Sequence, residues 1–366
     1  MKFRISDCRF RISTHPKFQS TIRNQTPIDI GTAIRNYHME LRTSFAIEPS
    51  PEKITYNDKV MFIGSCFASS IGFQMESGHM PVMINPAGSV YNPVSVCNTL
   101  DTITKQQEFT IDDLYLHKGV WLSFFHYTDF SSEDSSELLK KINLKSRVAF
   151  DFLKESQFLF VTFGTARVYE FIKSNLIVSN CHKIAADQFL SKLLKVEDIV
   201  KLWSEQLDKL NLLFPHLKVV FTISPVRHWK DGAFGNQVSK SVLFVAINEL
   251  LKHKTSPRYF PAYELVMDDL RDYRFYGEDM IHPSISAINY IWESFAGSYL
   301  ENNTLNLWRE VCKITRAINH RFNTDSKANK LQFAEKMLKL ISDIKIKIPA
   351  IDLSEEEKHF LKMRNS

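Results

Sequence analysis

No stretch of this chain is long and apolar enough for a membrane span, and the N-terminus lacks the apolar core of a signal peptide. A reducing cytoplasm is therefore the expected compartment. The five cysteines, Cys8, Cys66, Cys97, Cys181 and Cys312, are odd in number, irregular in spacing and form no CxxC. That argues against a disulfide framework and against a zinc site, so no metal or other cofactor is expected. A formal charge of +5 is small for 366 residues and builds no basic stripe, which removes nucleic acid from the expected partners. The lysines that thicken toward the C-terminus read as solvated helix faces. No segment repeats at a fixed period. What is present is ordinary globular composition, with 44% hydrophobic and 24% charged residues, in a chain long enough to bury a full core. The unusual abundance is 28 Phe, a number that suits either a core or an apolar cleft.

The organising stretch is Lys59 to Ala68, KVMFIGSCFA. Val60 to Ile63 is an unbroken apolar run, the mark of a short strand buried on both faces in a parallel sheet. Gly64 lets the backbone turn, and the small residues Ser65, Cys66, Ala68, Ser69 and Ser70 allow a helix to start at once. A serine on such a turn projects its hydroxyl from the sheet edge beside the free amides of a helix N-terminus, a geometry that suits a nucleophile. The alternative is a plain small residue at a strand end. Cys66 is a second conceivable nucleophile, but as a residue entering the helix it reads as buried packing.

Residues 1–38 are basic, rich in Ser and Thr and poorly periodic, consistent with a disordered leader, a transit peptide, or a true start at Met39. Organised sequence begins there. Pro81 to Asn85 is a second apolar segment, followed by a rigid loop, Asn85 to Pro93, in which Gly88 offers either a bare N–H or a plain turn. A helical pattern covers Ser136 to Lys154. Gln157 to Phe163 repeats the buried-strand signature and breaks at Gly164-Thr165-Ala166. Val196 to Phe214 has the apolar period of an amphipathic helix. Lys218 to Ile223 is the next strand, closing at Ser224-Pro225-Val226-Arg227-His228. A helix is expected from about Ser239 to Leu251, and a short strand over Arg258 to Tyr263, broken by Pro261. Strands alternating with amphipathic helices imply an α/β sandwich with a mostly parallel sheet. Residues 301–366 read as a helical extension, its last helix opened by a Ser354–Glu357 capping box, and residues 39–300 as the principal domain.

Asp279-Met280-Ile281-His282-Pro283 lies on a loop entering a helix. An Asp three residues before a His can fold back onto one ring nitrogen, fixing the tautomer and leaving the other nitrogen as a base.

Gly64-Ser65-Cys66-Phe67-Ala68 resembles the signature of the GSCFA family, a bacterial branch similar to SGNH/GDSL-type hydrolases. The Asn85 to Pro93 loop, Thr162 to Ala166, Asn180-Cys181-His182-Lys183, Ser224 to His228, Tyr259 to Glu264 and Asp279 to Pro283 resemble that family too. The resemblance implies a three-layer, flavodoxin-like α/β/α fold and a metal-free ester hydrolase working through an acyl-enzyme. Carried over, the pattern implies Ser65 as nucleophile, His282 as base and Asp279 as its orienting carboxylate. The amides of Ser65 and Gly88 would form part of the oxyanion hole. Two features depart from the wider pattern: no Asp stands between Gly64 and Ser65, and the block that ordinarily supplies an oxyanion Asn reads Gly164-Thr165-Ala166-Arg167. Thr165, Asn180 or Asn92 is then the third donor. Arg227 and His228 suit a polar or anionic group of the substrate, a small acyl ester or O-acylated sugar, or else serve as structural hydrogen-bonders. Acyl transfer with the same residues is a second reading, and a non-catalytic carbohydrate- or ligand-binding module a third.

Overall fold

The computed structural model describes residues 42–320, 322 and 326–365; the expectations for residues 1–38 lie outside them. Residues 44–366 form one compact unit. Its elements, in chain order, are β1 (Lys59–Gly64), α1 (Cys66–Ser77), β2 (Val82–Ile84), α2 (Pro93–Thr104), β3 (Tyr115–His117), β4 (Val120–Leu122), β5 (Ser131–Ser132), α3 (Ser135–Lys154), β6 (Ser156–Phe163), β7 (Arg167–Phe171), β8 (Leu176–Val178), β9 (Phe189–Leu193), α4 (Val196–Leu213), β10 (Lys218–Ile223), α5 (Gly232–Leu250), β11 (Arg258–Tyr259), α6 (Ile285–Tyr299), α7 (Asn302–Ala317), α8 (Lys327–Lys347) and α9 (Ser354–Asn365).

Five strands make a sheet in the order β11-β10-β6-β1-β2, and every ladder in it is parallel. Counting only these strands, the order is the doubly wound 2-1-3-4-5. The apolar runs are buried on both faces, as a parallel sheet between two helical layers requires. Val60 and Phe62 of β1, Phe158 and Phe160 of β6 and Val220 of β10 face a layer built from α1, α6 and the C-terminal helices. Met61, Ile63, Leu159, Val161, Phe163 and Phe221 face α2, α3, α4 and α5. The phenylalanines fill this core: the rings of Phe62 and Phe160 stack at 4.9 Å, and Phe160 meets Phe295 edge-on at 5.0 Å.

Two small antiparallel sheets, β3-β4-β5 and β8-β7-β9, stand apart from the central one and pack on each other through Leu122, Phe124, Phe171 and Val178. Three local expectations change. Helix α5 begins at Gly232, well before Ser239. Strand β11 is only Arg258–Tyr259, because Pro261 cannot donate to the ladder. The capping box at Ser354 is not formed: Asp352 Oδ1 accepts from the Ser354 N–H at 3.0 Å and from its hydroxyl at 2.6 Å, and so caps α9 from two residues upstream. Among the described residues no helix is long and apolar enough to cross a membrane.

Candidate active site

The connection leaving β1 runs through α1 on one face of the sheet and the one leaving β6 through α4 on the other, so a crevice opens between the carboxyl ends of β1 and β6. This is the switch point at which doubly wound sheets bind their ligands. Gly64 closes β1 with φ 139°, and a Cβ there would lie 2.1 Å from the Thr162 carbonyl oxygen of β6. Only glycine allows this approach. The chain then turns straight into α1, with Ser65 as N-cap and Cys66 as the first helical residue. Gly164, at the matching end of β6, sits against Ser65.

The Asp-His expectation is met in geometry. Asp279 Oδ2 lies 2.6 Å from His282 Nδ1, and Asp279 Oδ1 accepts the N–H groups of Ile281 and His282, each at 2.9 Å. The His282 amide, the His282 ring and the Ile281 amide together hold the Asp279 carboxyl down at about 2. With Nδ1 donating to a carboxylate, Nε2 is the free basic nitrogen.

That nitrogen faces Cys66. His282 Nε2 stands 3.7 Å from Cys66 Sγ, hydrogen-bond range for sulfur. The Ser65 hydroxyl is buried and makes no hydrogen bond. His282 Nε2 thus faces the residue after Ser65, the expected nucleophile. In the wider Gly-Asp-Ser pattern the serine stands two residues beyond the glycine, the position that Cys66 occupies here. Burial pushes the Cys66 thiol up, opposed by the N–H groups of Phe67 and Cys66 at the helix N-terminus and by the Lys240 charge. Cys66, Cys97, Cys181 and Cys312 are all free thiols.

Around this pair lies a cleft of about 410 Å³, walled by Tyr91, Tyr127, Asn180, Ser224, Arg227 and His282 among others, with no phenylalanine in its lining. Ser65, Thr165, Arg227 and His228 line it as well; Gly88 and Asn92 do not. Gly88 is a turn residue: its N–H donates to the Asn85 carbonyl at 2.8 Å, and its missing Cβ leaves room for Tyr127. The Ser65 amide is likewise engaged, by the Thr162 carbonyl at 3.2 Å. Asn92 is the N-cap of α2, its side chain accepting from the Ser95 amide at 2.9 Å. Thr165 Oγ1 is held by Ser239 Oγ at 2.9 Å and by the Arg167 N–H at 3.0 Å. This leaves Asn180 as the expected amide donor that does line the cleft; its Oδ1 accepts the His182 N–H at 2.7 Å, which turns Nδ2 the other way. His228 is tied down through Nδ1 to Asp231 at 2.9 Å and through its N–H to Asn236. Arg227 has no carboxylate within ion-pair distance among the described residues and reaches only Met267 Sδ, at 3.6 Å.

Sequence reasoning missed Lys240. It is fully buried on α5, donates to the Ser224 carbonyl at 2.6 Å, and burial lowers its amine to about 7. The available signal was a polar run, Asn236, Ser239 and Lys240, on the same helical stripe as Leu243, Ile247 and Leu250. Among the described residues no group of three or more His, Cys, Asp or Glu is disposed to hold a metal ion.

The model of the GSCFA family matches residues 59–295. No curated protein matches the chain. Among solved structures, a Streptococcus pneumonia protein with the provisional name platelet activating factor is 11% identical, over 70% of this chain and 85% of that one, with a TM-score of 0.35. A provisionally named GDSL-like lipase from Parabacteroides merdae is 10% identical, over 73% of this chain and 99% of that one, with a TM-score of 0.31.

Proposed function

The chain belongs to the GSCFA family, and from that premise and the geometry of its cleft we propose that it cleaves acyl esters through a covalent intermediate on Cys66. The observation that carries this reading is the imidazole of His282, oriented by Asp279, aimed at the Cys66 thiol. Because burial keeps that thiol protonated, the cysteine needs a base rather than a preformed ion pair. His282 Nε2 takes the thiol proton as sulfur attacks the ester carbonyl carbon. The oxyanion develops beside the first-turn amides of α1 and the Asn180 side-chain N–H. Collapse breaks the carbon–oxygen bond, and the alcohol departs with the proton from His282. Water then attacks the thioester, gives its proton to His282, and releases the acid and the thiol. A second alcohol in place of water makes the same site an acyltransferase.

The serine mechanism keeps one supporting observation: Ser65 borders the same cleft and its hydroxyl has no partner. Substitution separates the two. With 4-nitrophenyl acetate as substrate, Cys66→Ala is expected to lose on the order of 10³-fold or more in kcat, while Ser65→Ala stays within about tenfold. Iodoacetamide should alkylate Cys66 and stop turnover. An inactive Ser65→Ala beside an active Cys66→Ala returns the nucleophile to the serine. No turnover and no covalent labelling of either residue in folded protein favours a ligand-binding module.

A further inference from the structure

The catalytic loop has a second side. Its ends are pinned together, with the Gly277 N–H donating to the His282 carbonyl at 2.7 Å and Tyr276 bridged to Pro283. His282 on one side walls the cleft at Cys66, while Tyr276 and Met280 on the other wall a separate cleft of about 380 Å³. Arg227 lines both. The second cleft also carries Trp229 and Tyr273, which are 55% and 78% exposed, large aromatic faces left open to solvent at the mouth of a site. Tyr276 lies half-buried behind them, its ring 6.3 Å from that of Tyr273.

Aromatic faces interrupted by charged groups do not suit an acyl chain, which needs continuous apolar wall. They suit a ring with flat C–H faces and hydroxyl edges, the form of a sugar. The bridging cation adds a charge requirement. Arg227 is half-buried, and its contact with a methionine sulfur leaves the planar fork without an anion among the described residues. A guanidinium so placed recognises a carboxylate or phosphate in two-point fashion.

We infer that the cleft walled by Trp229, Tyr273 and Tyr276 binds the alcohol half of the substrate, a sugar ring carrying an anionic group that Arg227 holds, while the ester reaches past Arg227 to Cys66. This deepens the proposed reaction and rests on it for the order of the two clefts. The binding itself does not depend on turnover. Calorimetric titration of the full chain with tetragalacturonate, maltotetraose and inorganic phosphate tests it. The acidic oligosaccharide should bind at about 1 mM or tighter, and the neutral one about tenfold more weakly. Arg227→Gln should bring the acidic ligand down to the level of the neutral one, and Trp229→Ala and Tyr273→Ala should weaken both. Phosphate binding that equals the oligosaccharide's would make this an anion site without a sugar platform and overturn the inference. So would failure of the folded wild type to bind, or binding unchanged in all three variants. Retention of binding by Cys66→Ala, with no esterase activity in the wild type, would sink the catalytic reading and leave the sugar site standing. Turnover of 4-nitrophenyl acetate without oligosaccharide binding would do the reverse.

Discussion

The Asp279 carboxylate, though exposed, falls well below its ordinary range because its oxygens are held by two backbone amides and an imidazole. Its folded value of about 2 lies below the roughly 3.9 of an unfolded aspartate. The group therefore favours the folded loop above about pH 4, and that contribution is lost as pH falls from there through 2. Throughout the range in which an esterase would be assayed, Asp279 stays charged. Asp279→Asn should then lower kcat on the order of 10³- to 10⁴-fold at pH 5 and at pH 8 alike, by presenting the wrong tautomer. A variant rate that recovers to wild type at pH 5 would remove Asp279 from the orienting role. The pairing was legible because both residues sit on one short loop, where spacing alone fixes the contact. Which atom His282 Nε2 faces was not legible, since Ser65 and Cys66 are chain neighbours and differ only in where a tight turn points them. Lys240 was less legible still, because its partner is a backbone carbonyl on another element.

At the scale of elements, the long apolar strands were readable because burial on both faces leaves no polar position to confuse the pattern. Helix α5 was misplaced at its start, where Gly232 to Gln237 carries no apolar period. The small sheets escaped notice because their strands run to five residues or fewer and pack mainly on one another. The junction of β1 and α1 is the element-level feature on which the site depends. The turn at Gly64 brings its Cα against the Thr162 carbonyl, and the Gly64 N–H is held by Asn85 Oδ1 at 2.8 Å. An added methyl has neither the space nor an allowed backbone conformation. Gly64→Ala is expected to destabilise the fold by about 3 kcal/mol or more and to displace Cys66 from His282. Urea unfolding gives the first quantity and the iodoacetamide reaction rate of Cys66 the second. A loss of under about 1 kcal/mol with normal alkylation would mean that this turn is not what positions the thiol.

At the scale of the molecule, the C-terminal helices grip the far end of the helix whose first residue is Cys66. Trp308 of α7 donates to the Gln74 carbonyl at 2.8 Å, Thr315 donates to the Ser77 carbonyl at 3.2 Å, and His79 meets the buried Glu356 of α9 at 2.9 Å. Gly78 has no side chain because the Trp308 ring lies where a Cβ would be, 2.0 Å from its Cδ1. The same hydrophobic cluster runs from Ile54 through Phe62 and Trp292 to Ile344 and Phe360, so α7, α8 and α9 share their core with one face of the sheet. The sequence showed their apolar faces but not what those faces cover, because contacts between helices and a distant sheet leave no local period. A shared core makes unfolding a joint event. Trp308→Ala, at a buried ring 4.9 Å from that of Trp292, should therefore cost about 3–5 kcal/mol and lower one transition that fluorescence and circular dichroism report together. If the helices were a separate lobe, two transitions would appear and only the C-terminal one would fall. Iodoacetamide reactivity at Cys66 adds a functional readout, since loosening the C-terminal end of α1 should quicken alkylation at its N-terminal end only if the helix moves as one packed unit.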